Sequence, residues 1–251
     1  MGLFHSPKIV TDSLWGCWDF ANKKSFDGSS VSNFRELVYN KKQFENNIVV
    51  TGQWDPRGYY TIHSPAYEDG TSGVHNGNNV GWKFPRDLRN EGTEATFEAV
   101  VETYHTNISQ EVGIFGTGGM WRLMQEKQKW EFWARENSNG STTSLKTGDI
   151  ITKNEWTHFV GTIKTNPGLM KIYINGEEVA SQTTPWAWGV GAGYSYINIG
   201  QSWWGDSDSY FRGAIRLCRI YTKQLSQKQI KQNYDTVKDW MVYATSAKTT
   251  W

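Results

Sequence analysis

Two aromatic stretches hold the residue types best suited to recognition chemistry. They read Thr184-Pro185-Trp186-Ala187-Trp188-Gly189 and Ser202-Trp203-Trp204-Gly205-Asp206-Ser207-Asp208. Both are loop-like, punctuated by Pro, Gly and Ser. A Trp ring stacks on the apolar face of a sugar ring, while nearby Asp, Asn and Gln exchange hydrogen bonds with its hydroxyls. The two stretches bracket a strand expected at 194–200, so they meet at one rim of the sheet that holds it. Trp186, Trp188, Trp203, Trp204, Asp206 and Asp208 therefore form a candidate glycan patch. A second reading stays open: the same rings pack beneath their loops or in a subunit interface, where Trp and Tyr are enriched. Asp206 and Asp208 are also a weak calcium pair, because Ca²⁺ takes about six to eight oxygens and two carboxylates supply few of them. The competing reading is a solvated acidic turn.

Other chemistries were tested against spacing. The five histidines, His5, His63, His75, His105 and His158, show no metal-ligand pattern. His158 lies inside an apolar strand and reads as a hydrogen-bonded structural residue. No Cys/His cluster points to zinc. A retaining glycosidase needs two carboxylates about 5–5.5 Å apart, which alternate positions on one strand provide. Glu94, Glu98 and Glu102 share a strand face, but at a spacing of four, or about 13 Å. They read as a solvated polar face. No nucleophile elbow, phosphate loop or dinucleotide fingerprint is present. The expectation is a protein without catalytic residues or cofactor, apart from the calcium candidate.

The elements that must position these residues are mostly strands. Ser13–Phe20 reads as the first, with weak strands near 47–51 and 59–63. Ala95, Phe97, Ala99 and Val101 alternate with the glutamates along 93–104. Residues 120–124 and 129–135 form a hairpin that puts Trp121/Leu123 and Trp130/Phe132 on one face. Further strands fall at 156–163, 169–174, 177–182, 194–200 and 210–221. Asn175-Gly176 joins two of them and favours a type I′ turn. Ser226 with Gln229 is a capping box, and Leu225 can staple onto Ile230. One helix is expected from about 227 to 239, followed by a polar tail. The polar stretch His63–Gly81 is long enough to be functional or mobile.

The 251 residues include 14 Trp and carry a net charge of +1, from 26 basic and 25 acidic residues. Without a basic stripe, nucleic acid is not an expected partner. No apolar run approaches the ~20 residues of a membrane helix. The N-terminus lacks the basic and apolar regions of a Sec signal peptide. Its first six residues match the myristoylation pattern, which is short enough to recur by chance. Cys17 and Cys218 lie on the first and last strands, where a disulfide is conceivable. Two reduced, buried thiols are favoured, because a chain without a signal peptide folds in a reducing compartment.

The last third is the most specific. Trp156-Thr157-His158, Ile172-Tyr173-Ile174-Asn175-Gly176, Asn198-Ile199-Gly200, Gly213-Ala214-Ile215, Arg219-Ile220-Tyr221 and Leu225-Ser226 resemble the laminin-G-like branch of the concanavalin A-like lectin/glucanase superfamily. Arg216 departs from it, where the pattern often has Asp. The resemblance implies an all-β fold, a two-sheet antiparallel jelly-roll sandwich with one short C-terminal helix. The expected organisation is an arm at 1–12, the sandwich at 13–240 and a tail at 241–251. Several relatives bind calcium at rim loops.

The run Ser6-Pro7-Lys8-Ile9-Val10-Thr11-Asp12, with Leu14-Trp15-Gly16-Cys17 and Ala21-Asn22-Lys23-Lys24-Ser25, also resembles the start of laminin-G-like structural proteins of tailed bacteriophages. Ser13 and Lys23 replace their usual Gly and Pro. A virion component folds in the host cytoplasm and meets the outside after lysis, which reconciles a lectin-like fold with a missing signal. The first expectation is thus a non-enzymatic virion surface protein, a head or tail decoration or fibre module. Its partners would be neighbouring virion subunits, cell-surface glycans and, as a further reading, copies of itself. The alternative is a carbohydrate-binding lectin or adhesin module. A glycoside hydrolase ranks last.

Overall fold

Alternation along β5 (Glu94–Thr103) sets the layering of the molecule. Ala95, Phe97, Ala99 and Val101 enter the main core, so Glu94, Glu98 and Glu102 stand on the opposite face. The computed structural model describes residues 8–26, 34–38, 53–61, 82–84, 92–104, 111–117, 119–136, 140–165, 167–185, 197–201 and 211–246. Among these, the strands form two antiparallel sheets. The larger has eight strands, in the order β12 (Glu177–Thr183), β11 (Leu169–Ile174), β10 (Trp156–Lys164), β5, β14 (Gly213–Tyr221), β3 (Tyr59–Thr61) and β2 (Gln53–Asp55). β1 (Leu14–Asp19) pairs separately with β14. The smaller has six: β4 (Trp82–Phe84), β13 (Ile197–Ile199), β6 (Glu111–Gly116), β7 (Trp121–Glu126), β8 (Lys129–Arg135) and β9 (Thr142–Lys146). The result is the jelly-roll sandwich expected from the sequence.

Aromatic rings fill the space between the sheets. Phe97 of the larger sheet stacks on Trp121 of the smaller, with ring centroids 3.6 Å apart. Trp18, Trp82, Trp121 and Trp130 are fully buried, which accounts for part of the high Trp content. Gly161 on β10 allows close approach, since a Cβ there would lie 2.7 Å from Phe132 and 2.9 Å from Leu123. The Asn175-Gly176 turn has φ of 53° and 86°, the two positive values that a type I′ turn requires.

The outer face of the larger sheet is not solvated, contrary to the expectation for Glu94, Glu98 and Glu102. Glu98 and Glu102 are buried, and Glu94 is half-buried. Two helices and the N-terminal segment lie over this face. Ser226 caps α1 (Gln227–Asp235) with the expected box, and Leu225 and Ile230 share a buried cluster. Thr236 ends that helix, its hydroxyl donating to the carbonyl of Asn233. A second helix, α2 (Lys238–Ser246), then occupies residues expected to be helix end and tail. The single expected helix is therefore two. Val237, Met241 and Ala244, at helical spacing, bury against Tyr59, Val100 and Leu217.

Glu98 ties these layers together. Its Oε1 accepts from Arg219 Nη1 at 2.8 Å and lies 3.0 Å from His158 Nε2. Its Oε2 accepts from Asn233 Nδ2 at 2.8 Å, and the same amide donates to the Tyr221 hydroxyl at 2.9 Å. Asn233 Oδ1 accepts from the backbone of Val10 at 2.8 Å, which docks the N-terminal segment. His158 is thus the hydrogen-bonded structural residue expected, further held by its N–H donating to Asn175 Oδ1 at 3.0 Å. Burial alone would raise the Glu98 carboxyl, but the Arg219 charge and the hydrogen bonds from His158 and Asn233 outweigh it. They hold the group at about 2. Arg216, at the position where the family pattern often has Asp, pairs with Asp19 of β1 and lies over the Trp240 ring.

Cys17 and Cys218 sit on paired strands yet cannot bond. Cys17 is opposite Arg219 and Cys218 is opposite Trp18, so the two thiols point to opposite faces of one sheet. Both are free and buried, as expected. Of the other sequence expectations, the strand near 47–51 and the loop 63–81 lie outside the described residues.

Two outcomes follow from this packing. Thiol titration should count two sulfhydryls after denaturation and almost none in the native protein, because burial pushes Cys17 up to about 11 and Cys218 well above its ordinary value. A Glu98 carboxyl depressed in the fold contributes stability above its unfolded value, about 4.3. That contribution is lost as pH falls through that range toward 2. Glu98→Gln leaves Arg219 buried beside a neutral partner and should cost about 3–5 kcal/mol at pH 7. The acid-side slope of stability should flatten in the variant. Denaturant titration at pH 7 and pH 3 measures both effects, and a variant as stable as the parent would show that the pair does not hold the layers.

Candidate functional site

The smaller sheet presents its second face away from the core, and hairpin register arranges that face in rows. Ile197, Ile199, Trp121, Leu123, Phe132, Ala134 and Leu145 point inward. The positions between them point outward. One outward row crosses five strands through direct Cα partners: Asn198, Gly116, Arg122, Trp133 and Ser144. A neighbouring row holds Glu111 opposite Glu126, and Met124 opposite Glu131, itself opposite Lys146.

Arg122 dominates the first row. It is only 7% exposed, and its guanidinium carbon lies 4.4 Å from the centre of the Trp133 ring. Such stacking suits a planar, weakly hydrated cation. Burial pulls Arg122 down to about 10, against the charges of Glu111 and Glu131 that favour its protonated form. Gly116, directly opposite, lets the two strands approach closely, since a Cβ there would lie 2.6 Å from the Trp121 carbonyl oxygen and 3.1 Å from Arg122 Cγ. At the buried end, Gly200 takes φ of 87° and turns the chain after β13, which brings Gln201 beside Asn198. Gln201 Nε2 donates to Asn198 Oδ1 at 3.5 Å. Asn198 Nδ2 and Gln201 Oε1 are buried and have no hydrogen-bond partner among the described residues. Buried polar atoms almost always have one, so each such group calls for an explanation. At the other end Trp133 is half-buried and Ser144 is exposed.

The second row brings the carboxylates of Glu111, Glu126 and Glu131 within 4.8 Å of one another. Lys146 binds Glu126, and its ammonium lies 3.5 Å from Glu131. The Ser144 hydroxyl donates to Glu131. Burial raises the Glu131 carboxyl, whereas the hydrogen bond from Lys146 lowers Glu126. Two carboxylates this close with opposed shifts are the raw material of glycosidase chemistry. Here, however, the one left as carboxylate is committed to Lys146. The same ammonium stands where a divalent cation would bind, so a metal would have to displace it. The sequence reading missed this trio because it sought carboxylates along one strand. The 126–129 turn, which sets Glu126 and Glu131 on one face, was the available signal.

Trp186, Trp188, Trp203, Trp204, Asp206 and Asp208 lie outside the described residues. Their flanks are placed: Thr184 is buried and donates its backbone N–H to Gly168 at 2.9 Å, and Gln201 ends the polar row. The row residues Arg122, Trp133 and Gln201 carry no signal in the sequence, and Asn198 stands there only in the Asn198-Ile199-Gly200 motif, because row membership depends on cross-strand register.

Comparison with known proteins agrees with this architecture. Nothing matches among curated protein sequences. The receptor-binding domain of botulinum neurotoxin type G superposes with a TM-score of 0.60 at 12% identity, over 89% of this chain and 51% of that one. The binding domain of botulinum neurotoxin DC in complex with SialylT gives 0.65 at 16%, over 90% and 52%. The receptor-binding domain of the C/D mosaic serotype gives 0.59 at 14%, over 90% and 52%. The chain thus spans about half the length of these domains, and at such identities the likeness is one of fold. The sequence itself carries the family: residues 76–231 match the concanavalin A-like lectin/glucanases superfamily, and the chain belongs to it.

Proposed function

We propose that this chain is a non-enzymatic, lectin-like recognition module that binds glycan on the outer face of its six-stranded sheet. The observation that carries this reading is the row from Asn198 to Ser144. It combines a buried guanidinium on a Trp ring with two buried amide atoms, Asn198 Nδ2 and Gln201 Oε1, that have no hydrogen bond among the described residues. Sugar hydroxyls both donate and accept, so they complement such a pair. Family membership and the likeness to toxin binding domains support a binding role. One such domain is recorded with SialylT and another with rat synaptotagmin II. Those ligands belong to longer domains, of which this chain covers 52% and 40%. The commitment of Glu126 to Lys146 supports the absence of catalysis.

The aromatic stretches 186–189 and 202–208 bracket β13 in sequence, and β13 carries Asn198. We assign Trp186, Trp188, Trp203 and Trp204 to the periphery of the same site, with Asp206 and Asp208 as hydroxyl partners or a weak calcium pair. The sandwich at 13–240 acts as the recognition unit, with Val10 and the last turns of α2 packed onto it. The N-terminal resemblance gives the setting, a virion surface on which neighbouring subunits or copies of this chain are further partners.

A glycan array probed with the purified protein should return specific signals, and laminarin, agar and carrageenan should survive prolonged incubation. Trp203→Ala with Trp204→Ala should weaken glycan binding at least tenfold, which is about 1.4 kcal/mol, with little change in melting temperature. A blank array, or turnover that vanishes in Glu131→Gln, would sink the reading. Proteomics of purified particles tests the setting.

A further inference from the structure

We propose that Asn175-Gly176 is a spontaneous deamidation site that the fold keeps closed, and that its conversion to isoaspartate, once α1 lifts, bars return to the native structure. The chain has three Asn-Gly dipeptides, Asn76-Gly77, Asn139-Gly140 and Asn175-Gly176. A glycine after asparagine presents the least hindered backbone nitrogen to the asparagine side chain. In the reaction, base removes the Gly176 N–H proton and the nitrogen bonds to Asn175 Cγ. The Cγ–Nδ2 bond breaks, and the amide leaves as ammonia with a proton from water. Water then opens the five-membered imide at one of its two carbonyls, which leaves aspartate or isoaspartate. Water is the only co-reactant.

The geometry of the turn opposes the first step. Ring closure requires the Gly176 nitrogen to eclipse Asn175 Cβ about the Cα–C bond. Asn175 and Gly176 have φ of 53° and 86°. The first central residue of such a type I′ turn takes ψ of about +30°, which sets that nitrogen nearly anti to Cβ. Asn175 is held there from both sides. Its N–H donates to the His158 carbonyl at 2.9 Å, and its Oδ1 accepts from the His158 N–H at 3.0 Å. Gly176 is buried beneath α1. A Cβ on it would lie 2.7 Å from the Lys231 side chain and 3.4 Å from the Tyr234 ring. The Lys231 ammonium lies 4.5 Å from the centre of that ring, which stands 5.8 Å from the His158 imidazole. Ring closure therefore waits until α1 lifts and the hairpin unwinds.

The two products differ in what they do to this junction. Aspartate keeps the backbone and an oxygen able to accept from His158. Isoaspartate routes the main chain through Cβ and Cγ, which lengthens it by one carbon. A two-residue turn packed under α1 has no room for that atom, and the Cγ oxygen leaves its place on the His158 N–H. His158 Nε2 lies 3.0 Å from Glu98, so the change reaches the buried carboxylate.

The test uses the whole chain, aged at neutral pH in native buffer and in guanidinium chloride. Peptide mapping by mass spectrometry counts aspartate and isoaspartate at each Asn-Gly, and Asn76 and Asn139 calibrate the denatured rate. Asn175 should deamidate at least tenfold more slowly in the native chain than in the denatured one. Ile230→Ala loosens α1 from its cluster with Val10 and Leu225. It should raise the native rate at Asn175 severalfold and leave the denatured rate unchanged. If that variant does not fold, the comparison of native with denatured parent still decides. The aged, denatured chain is then refolded. Isoaspartate at position 175 should be depleted severalfold from the refolded fraction, whereas aspartate at that position should not. Asn175→Asp should unfold at the denaturant midpoint of the parent. Equal native and denatured rates would overturn the closed site, and a folded Ile230→Ala with an unchanged native rate would overturn the role of α1. Isoaspartate shared evenly between refolded and misfolded chains, or a clearly destabilised Asn175→Asp, would overturn the block to return.

Discussion

The burial of the Glu98 carboxylate is the constraint on which the rest of the molecule depends. A carboxylate taken out of water costs several kcal/mol unless charge and hydrogen bonds compensate it. Here the compensation comes from four separate parts of the chain: Arg219 on β14, His158 on β10, Asn233 on α1 and, through Asn233, Val10 of the N-terminal segment. Each contact is weak evidence for net stability. Together they fix register, because a one-residue slip of β10 or β14 would move His158 or Arg219 to the core face and leave Glu98 unpaired. The Trp-x-His, Arg-x-Tyr and Asn-Gly motifs are thus parts of one device. His158 and Arg219 meet the carboxylate directly, Tyr221 shares its amide partner, and Asn175 holds the His158 backbone.

This device also divides labour between the sheets. The larger sheet spends its outer face on structure, since α1, α2 and the N-terminal segment cover it and its glutamates are consumed internally. The smaller sheet has no such helical cover among the described residues. Its outer face keeps Trp133 half-buried and Ser144 exposed, and holds polar atoms with no hydrogen bond among the described residues. The recognition surface proposed above falls on the face opposite the closed one, carried by strands whose inner residues are locked into an aromatic core. Rigid strands hold site residues more closely than loops do.

How far the sequence reveals this differs by level. Local signals were strong: alternation gave the strands, Asn175-Gly176 gave its turn, and Ser226 with Gln229 gave the start of α1. The second helix was legible in Val237, Met241 and Ala244, but the polar residues around them favoured reading a tail. The status of Glu98 was not legible. Period-two alternation says which face a residue occupies, not what covers that face, and the cover comes from the two ends of the chain, far from Glu98 in sequence. The same limit hid the Arg122 row. Asn198, Gly116, Arg122 and Trp133 are adjacent only through register across three strand pairings, and no spacing along the chain encodes that.

The two rows of the smaller sheet illustrate how local charge placement acts on a side chain without strong net charge. The whole chain carries a formal charge of +1, so long-range steering is weak. Charge is instead separated on the local scale. Arg122 and Arg135 lie on one part of the face, and three carboxylates, partly neutralised by Lys146, lie next to them. Within a Debye length of about 8 Å the two fields overlap. The charges of Glu111 and Glu131 therefore favour the protonated form of Arg122 while burial opposes it, and the balance pulls Arg122 down to about 10.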